Sequence, residues 1–308
     1  MATLSELQAK VKKALLPDVT AFATTDITAY LNEGMNRIAA GIAIYEGVLS
    51  PPLPALFKTA KVNTVVIADA DTIAFVNSNP DTITDSDSAF VSSGFAAGMI
   101  IYVSGSSDND GSYHAIATVA AGTITLVSTD KLTAESAGKE VTIKSPCVAL
   151  PSDYGRRLFY VSSGSQDKRI KIYDSFHRLL RKYPLLDEDG DVSFVAVKGN
   201  FLYYQPIPGS AEALTLHYYR TPTEMSDDEN TPDGIPSHLH ERLLVNYAAK
   251  EILEMVETAT KGKTLRSVKF EEKFKAAMTD LVAFIGPDDI EPIYYDDDQG
   301  YMDDYGYY

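Results

Sequence analysis

The densest local group of chemically capable side chains is His238-Leu239-His240-Glu241, with two imidazoles and a carboxylate within four residues. A helix that holds a metal draws its histidines from positions i and i+4, which share a face. Histidines at i and i+2 diverge by about 200° around a helix, so this spacing excludes that arrangement. Across an extended helix entry the two could converge, but after Pro236-Ser237 the cluster reads instead as a helix start. Asp187-Glu188-Asp189-Gly190-Asp191 has the look of a calcium loop in its first residues only. An EF-hand needs glycine at its sixth position and a bidentate acid at its twelfth. Those places hold Val192 and Lys198, so the stretch reads as a turn. Asp108-Asn109-Asp110-Gly111 reads as a hairpin tip, with an adventitious surface calcium as its alternative. The lone cysteine, Cys147, excludes an intrachain disulfide and a cysteine-rich metal cage, and it reads as a small packed residue. The sequence contains no Gly-x-Ser-x-Gly elbow, no phosphate-binding glycine loop and no His-Glu-x-x-His. We assign no catalytic, cofactor-binding or metal-ligating residue, and expect no enzyme and no cofactor.

Two other constellations point to binding. Arg178, Arg181 and Lys182 follow Lys168, Arg169 and Lys171. In a chain with 27 basic and 43 acidic residues this cluster reads as a face for a neighbouring subunit or an acidic partner, against the alternatives of a solvated face or a DNA contact. The second constellation is the stretch from Pro287 to Tyr308, with eight acids, no bases and six tyrosines. It shows neither helical nor strand periodicity, and alone it is expected to be disordered. Tyrosine offers a large contact area with a polar tip, which bare solvation does not require. Ile293, Tyr294, Tyr295, Tyr301, Met302, Tyr305, Tyr307 and Tyr308 are therefore read as the anchors of a docking peptide.

Charge is distributed unevenly. Of the net −16, half lies in that final stretch, and 60–145 adds ten acids against four bases. An acidic chain of this kind is a poor DNA-gripping protein, because phosphate binding relies on basic surface. It can still surround DNA without holding it. No apolar run is long enough to span a membrane. The N-terminal residues lack the basic and apolar segments of a signal peptide, so synthesis in the cytoplasm is expected.

The elements that must position these groups fall into three textures. Residues 1–57 read as helical. Thr3-Leu4-Ser5-Glu6 fits a capping box, and Leu4, Leu7, Val11 and Leu15 recur at helical spacing up to Pro17. A second helix is expected from about Thr25-Asp26, with Ile27, Leu31, Ile38 and Ile42 on one face, ending before Ser50-Pro51-Pro52-Leu53-Pro54. From Ala60 to Ser145 the pattern turns to short alternating runs. Asp71–Phe75, Met99–Val103, Tyr113–Val119, Thr123–Leu126 and Val141–Ile143 are expected strands, with turns at 108–111 and 121–122. Beyond Cys147 mixed character returns. Leu150–Tyr154 reads as extended. A helix is expected from an Asp174 cap to Pro184, with Phe176, Leu179, Leu180 and Tyr183 inward. A hairpin about Gly199-Asn200 follows, then a strand over Leu214–Tyr219, and two helices carrying Leu239 to Ile252 and Phe270 to Ile285. The expected fold class is α+β. A helical-bundle host domain with a β-hairpin region, 1–59 plus 146–286, is interrupted by an inserted all-β sandwich or barrel domain at 60–145. The tail at 287–308 orders only on a partner.

Several segments of the host resemble the head-to-tail adaptor (connector) proteins of tailed bacteriophages. They are Tyr30-Leu31-Asn32-Glu33-Gly34-Met35-Asn36-Arg37-Ile38, Leu150-Pro151-Ser152-Asp153-Tyr154, Tyr203-Tyr204-Gln205-Pro206-Ile207-Pro208, Leu216-His217-Tyr218-Tyr219-Arg220 and Thr231-Pro232-Asp233-Gly234-Ile235-Pro236 with Leu239-His240-Glu241. The order of elements is similar as well. The stretch 60–145 resembles a β-module of phage structural proteins, through Asp81–Thr84, Gly94–Gly98, Val103–Ser106, Asn109–Tyr113 and Leu132–Glu135.

The resemblance implies a structural protein of the virion, at the head-to-tail interface. It would form a homo-oligomeric ring, dodecameric in the family, that docks on the portal protein, extends the DNA channel and carries the tail or nozzle proteins. The resemblance also implies that the C-terminal segment reaches the portal, and that double-stranded DNA passes the lumen without specific binding. The 60–145 module is then the expected contact for tail fibres. A virion receptor- or glycan-binding protein that uses 60–145 for recognition is the alternative, and deletion of that module would separate the two. A cell-wall hydrolase is a third class, and no motif in the sequence supports it.

Overall fold

The computed structural model describes residues 1–15, 22–40, 52–164, 168–259 and 265–286. The described elements make an α+β protein whose chain divides into two compact units. One comprises Met1–Lys58, Asp153–Arg157 and the chain from Tyr219 onward, the other Thr59–Ser152 and Leu158–Tyr218.

The first unit is built by helices. The leucine and valine repeat of the first residues forms α1 (Leu4–Leu15), and Leu4, Leu7, Val11 and Leu15 are all buried. Its capping box is formed as the sequence predicts: the Glu6 N–H donates to Thr3 Oγ1 at 3.4 Å, and the Thr3 N–H donates to Glu6 Oε2 at 3.3 Å. Helix α2 (Thr24–Ala40) buries Ile27, Leu31, Met35 and Ile38. The expected Ile42 and the Pro17 and Ser50-Pro51 stops lie outside the described residues.

The strands come next in the chain: β1 (Phe57–Asn63), β2 (Val66–Ala70), β3 (Ile73–Val76), β4 (Thr82–Asp85), β5 (Ile100–Ser104), β6 (Tyr113–Ala120), β7 (Thr123–Leu126), β8 (Val141–Lys144), β9 (Cys147–Ala149), β10 (Tyr154–Ser163), β11 (Lys168–Arg169) and β12 (Lys171–Tyr173). Helix α3 (Phe176–Lys182) precedes β13 (Phe194–Lys198), β14 (Phe201–Gln205) and β15 (Ala213–Arg220). A π-helical turn at Glu241–Val245 leads into α4 (Asn246–Ala259), and α5 (Leu265–Ile285) follows. Helices α1, α2, α4 and α5 share one apolar core, to which Leu243, Tyr247, Ile252, Phe274, Met278 and Leu281 contribute. Gly286, with φ +82°, takes the left-handed position after α5 and closes it through Gly286 N–H to Val282 O at 3.0 Å.

Three sheets carry the strands. Seven strands in the order β2-β8-β5-β6-β7-β4-β3 lie wholly within residues 66–144. The others are ordered β12-β13-β14-β9 and β1-β15-β10-β11. The predicted hairpin is present, with Val195 opposite Tyr204 and Gly199 at φ +59° in its turn. Strands β12 and β13 pair in parallel, Lys171 with Phe194 and Tyr173 with Ala196. A parallel pair needs a crossover, and α3 supplies it.

Two expectations are corrected. Ser175, not Asp174, caps α3, because its hydroxyl accepts the Arg178 N–H, while Asp174 pairs with the Arg178 guanidinium at 3.3 Å. Ser152-Asp153 makes a turn, and the ten-residue β10 follows it. Its Gly155 and Arg156-Arg157 conceal it, since they break apolar alternation. The backbone demands that glycine: a Cβ there would sit 2.8 Å from the Thr221 nitrogen. The expected strand over Leu214–Tyr219 is present as β15, paired with β1 and β10.

Candidate functional site

The two histidines of the cluster make separate contacts. His240 is buried and bonds Ile235 O through Nε2 at 2.8 Å, while His238 lies edge-on to Phe284, ring centroids 4.7 Å apart. Among the described residues no group of three or more His, Cys, Asp or Glu side chains could hold a metal ion. Cys147 is fully buried, and burial pushes its thiol pKa up, the opposite of an activated nucleophile.

One arrangement with the outline of a catalytic triad went unread in the sequence. His114 Nε2 lies 2.8 Å from Ser112 Oγ, and its Nδ1 lies 4.0 Å from Asp130 Oδ2. A working triad needs Nδ1–H held by the carboxylate and a bare Nε2 to take the serine proton. Here the Ser112 hydroxyl donates to Asn109 O, so Nε2 must be the donor toward Oγ. Nδ1 is then the bare nitrogen, and it has no hydrogen-bond partner among the described residues. The tautomer is inverted, and burial pulls the His114 pKa down.

Carboxylates in the seven-stranded region hold loops. Glu135 accepts from Ser106 Oγ at 2.9 Å and from the Ser107 N–H at 2.8 Å. Burial raises its pKa, but these donors outweigh it and the net shift is downward. Asp110 of the Asp108–Gly111 tip accepts the Gly105 N–H at 2.6 Å, and Asn109 exchanges two hydrogen bonds with the Thr133 backbone. Asp81 accepts the Leu132 N–H at 2.7 Å, which lowers its pKa.

The basic cluster read from the sequence lies on and around α3. Between Tyr154 and Tyr183 there are eight Lys or Arg residues against two Asp, in a chain of net charge −16. Helix α3 rests on the sheet through Leu179 and Tyr183, which are buried. That seating brings cations and aromatic rings of α3 and its neighbouring strands together. Lys182 Nζ stands 3.6 Å from the Phe194 centroid and Lys198 Nζ 4.6 Å from that of Phe176. The Arg178 guanidinium lies 5.7 Å from the Tyr173 ring. Tyr173 and Phe194 stack at 5.3 Å with planes 12° apart. Arg181 and Lys182 are exposed and Arg178 is half-buried. The three cations predicted as a face are therefore brought together on one short helix. The missed partners are the rings: Tyr173 and Phe194 are 21 residues apart in sequence, and the parallel register of β12 and β13 brings them close.

The residues that carry the adaptor resemblance in the helical unit are architectural. Asn32 is buried and exchanges two 3.0 Å hydrogen bonds with the Met225 backbone. A Cβ on Gly34 would lie 2.6 Å from Tyr247 Cδ1, so only glycine lets that ring sit on α2. Glu33 accepts from Tyr247 Oη at 3.0 Å. Asp233 clamps Arg220 through contacts of 2.6 and 3.0 Å and also accepts the Thr223 N–H. The predicted docking residues Ile293, Tyr294, Tyr295, Tyr301, Met302, Tyr305, Tyr307 and Tyr308 lie outside the described residues.

Compared with known proteins, residues 114–292 match the family model described as SU10 adaptor protein. That match covers more than half of the chain. Nothing among the curated proteins matches it.

Proposed function

The chain belongs to the SU10 adaptor protein family, a phage adaptor family, and we propose that it is a head-to-tail adaptor of the virion. In this reading copies assemble as a ring, dodecameric by the resemblance, beneath the portal. The ring continues the DNA channel and offers the tail its platform. The family match carries the reading. The architecture is compatible with it: in the helical unit the buried Asn32 is used to fix the Met225 backbone. No described helix is long and apolar enough to cross a membrane.

The division of labour follows from chemistry. The acidic, tyrosine-rich stretch 287–308 is the portal-docking peptide. The α3 face with Arg178, Arg181 and Lys182 is a contact between subunits. The module at 60–145 is an inserted domain that faces tail or fibre proteins. Excess acid suits a conduit, because it repels phosphate and lets the genome slide past.

Portal attachment tests the reading. The full chain should co-sediment with the purified portal protein of its phage, and a chain truncated before Asp288 should attach at least tenfold more weakly while melting at the same temperature. Equal attachment by the truncated chain would reject the docking role.

A further inference from the structure

One flank of α5 carries positive charge that its partners among the described residues leave uncompensated. Arg266, Lys269 and Lys273 follow one another at i, i+3 and i+7, so they share a face of the helix. Arg266 donates to two backbone carbonyls, Ala14 O at 3.4 Å and Leu15 O at 3.1 Å. Those bonds bring the last turn of α1, with Lys12 and Lys13, alongside. Lys273 Nζ stands 5.0 Å from the Phe270 ring centroid, and Lys12 donates to Thr24 Oγ1 at 2.8 Å. Carbonyls, a ring and a hydroxyl occupy these groups without neutralising them. Lys13 and Lys269 are exposed. Residues 10–15 and 265–275 together hold seven Lys or Arg against two Glu, in a chain of net charge −16. Lys10 is paired with Glu241 and Lys275 with Glu271, which leaves five cations against Glu272. Farther along the same line of α5, five turns from Arg266, Phe284 is 61% exposed and edge-on to His238. Asp280 lies between and is taken up by Arg242. The flank therefore offers an apolar patch beside Gly286 and a cationic end farther from it.

The chain that leaves Gly286 has the same order, with Ile290 and Ile293 first and Asp296-Asp297-Asp298 after them. Length decides which acids reach the cations. Lys273 and Lys269 precede Gly286 by about 20 and 26 Å along the helix, at about 1.5 Å per residue. An extended chain covers about 3.3 Å per residue, so Glu291 falls short at about 17 Å while Asp296 has about 33 Å. We propose that the segment 288–298 folds back along the α5 flank of its own copy, where Asp296, Asp297 and Asp298 pair with Lys269 and the charge around it. The tether favours the copy's own flank, since it holds these acids there at an effective concentration of about millimolar. Exposed charge pairs are individually weak and screened by salt, so a partner that binds the segment better opens the contact. The inference goes beyond the adaptor reading and does not depend on it. Where the segment also serves as the portal-docking peptide, the flank is where it waits.

The test uses the full chain at low salt. Equal amounts of ordinary and 15N-labelled protein are mixed and treated with a carbodiimide. The reagent condenses a lysine amine with a carboxylate into an amide, taking up the water as its own urea. The expected products join Lys269 to Asp296, Asp297 or Asp298 within single copies. Their yield should be at least threefold above that from the exposed Lys61 and Lys139 to the same acids. The Lys269 products should fall at least threefold in Lys273→Glu, which keeps the reacting amine, and at least fivefold in about 0.5 M salt. They should survive an equimolar short DNA duplex. Products of mixed isotope would assign the flank to a neighbouring copy, loss to the duplex would assign it to nucleic acid, and either overturns the proposal. So would an unchanged yield in Lys273→Glu, or equal yields at Lys61 and Lys139. Should Lys273→Glu fail to fold by circular dichroism, Lys273→Gln gives the same comparison with a smaller expected fall. Attachment of a synthetic 287–308 peptide to isolated portal is read separately, so failure of the docking reading leaves this outcome intact.

Discussion

At the scale of single residues, the polar groups that look like chemistry are holding backbone. Asn32 is the clearest case, since both ends of its amide are used by Met225. Asn32→Leu should destabilise the helical unit by about 1 to 3 kcal/mol, because the Met225 N–H and C=O are left buried without partners. A urea titration followed by circular dichroism measures it, and a change within error would contradict the role. Gly34→Ala should cost about 1 to 3 kcal/mol by driving a methyl into the Tyr247 ring.

The buried histidines give a pH dependence of definite sign. Burial lowers the pKa of both His114 and His240. Unfolded histidine takes up its proton near pH 6.5, above the folded pKa of either site. The unfolded state therefore binds more protons in that window, and stability falls as pH drops from about 7 toward 5. The carboxylates with lowered pKa, Asp81, Glu135 and Asp233, act in a lower window, and their contribution is lost only as pH falls below the ordinary carboxylate range. Thermal melts at pH 7 and pH 5.5 should show a drop in Tm that His114→Gln reduces; an unchanged difference would remove His114 from the account.

At the scale of elements, local signals were legible where the sequence contains its own explanation. The capping box, the apolar faces of α1, α2, α4 and α5, the β13–β14 hairpin and the strands β6 and β7 all announce themselves through spacing. What stayed hidden depends on distant chain. Strand β10 needs Gly155 because the Arg220-Thr221 backbone passes beside it, and the parallel pairing of β12 with β13 follows from the α3 crossover, not from either strand. The stack of Tyr173 on Phe194 was unreadable for the same reason, although the three cations of that face were read correctly as neighbours on one helix. The seven-stranded sheet lies within 60–145, but Tyr204, outside that stretch, is fully buried and bonds both Ser145 O and the Val65 N–H. The isolated 60–145 fragment should therefore fold as β structure, yet melt below the same sheet in the full chain. A fragment without β signal would undo the proposed insertion.

At the scale of the whole molecule, the proposed adaptor role is one of assembly, and it rests on the family match and the distribution of charge. Acid is concentrated in the 60–145 module and in the final 22 residues, and the rest is nearly balanced. Electron microscopy of the full chain mixed with the portal protein of its phage tests the assembly role most directly. The account predicts a closed ring of this protein seated on the portal, with density for the 287–308 stretch against portal surface. Isolated single copies beside bare portals would contradict it.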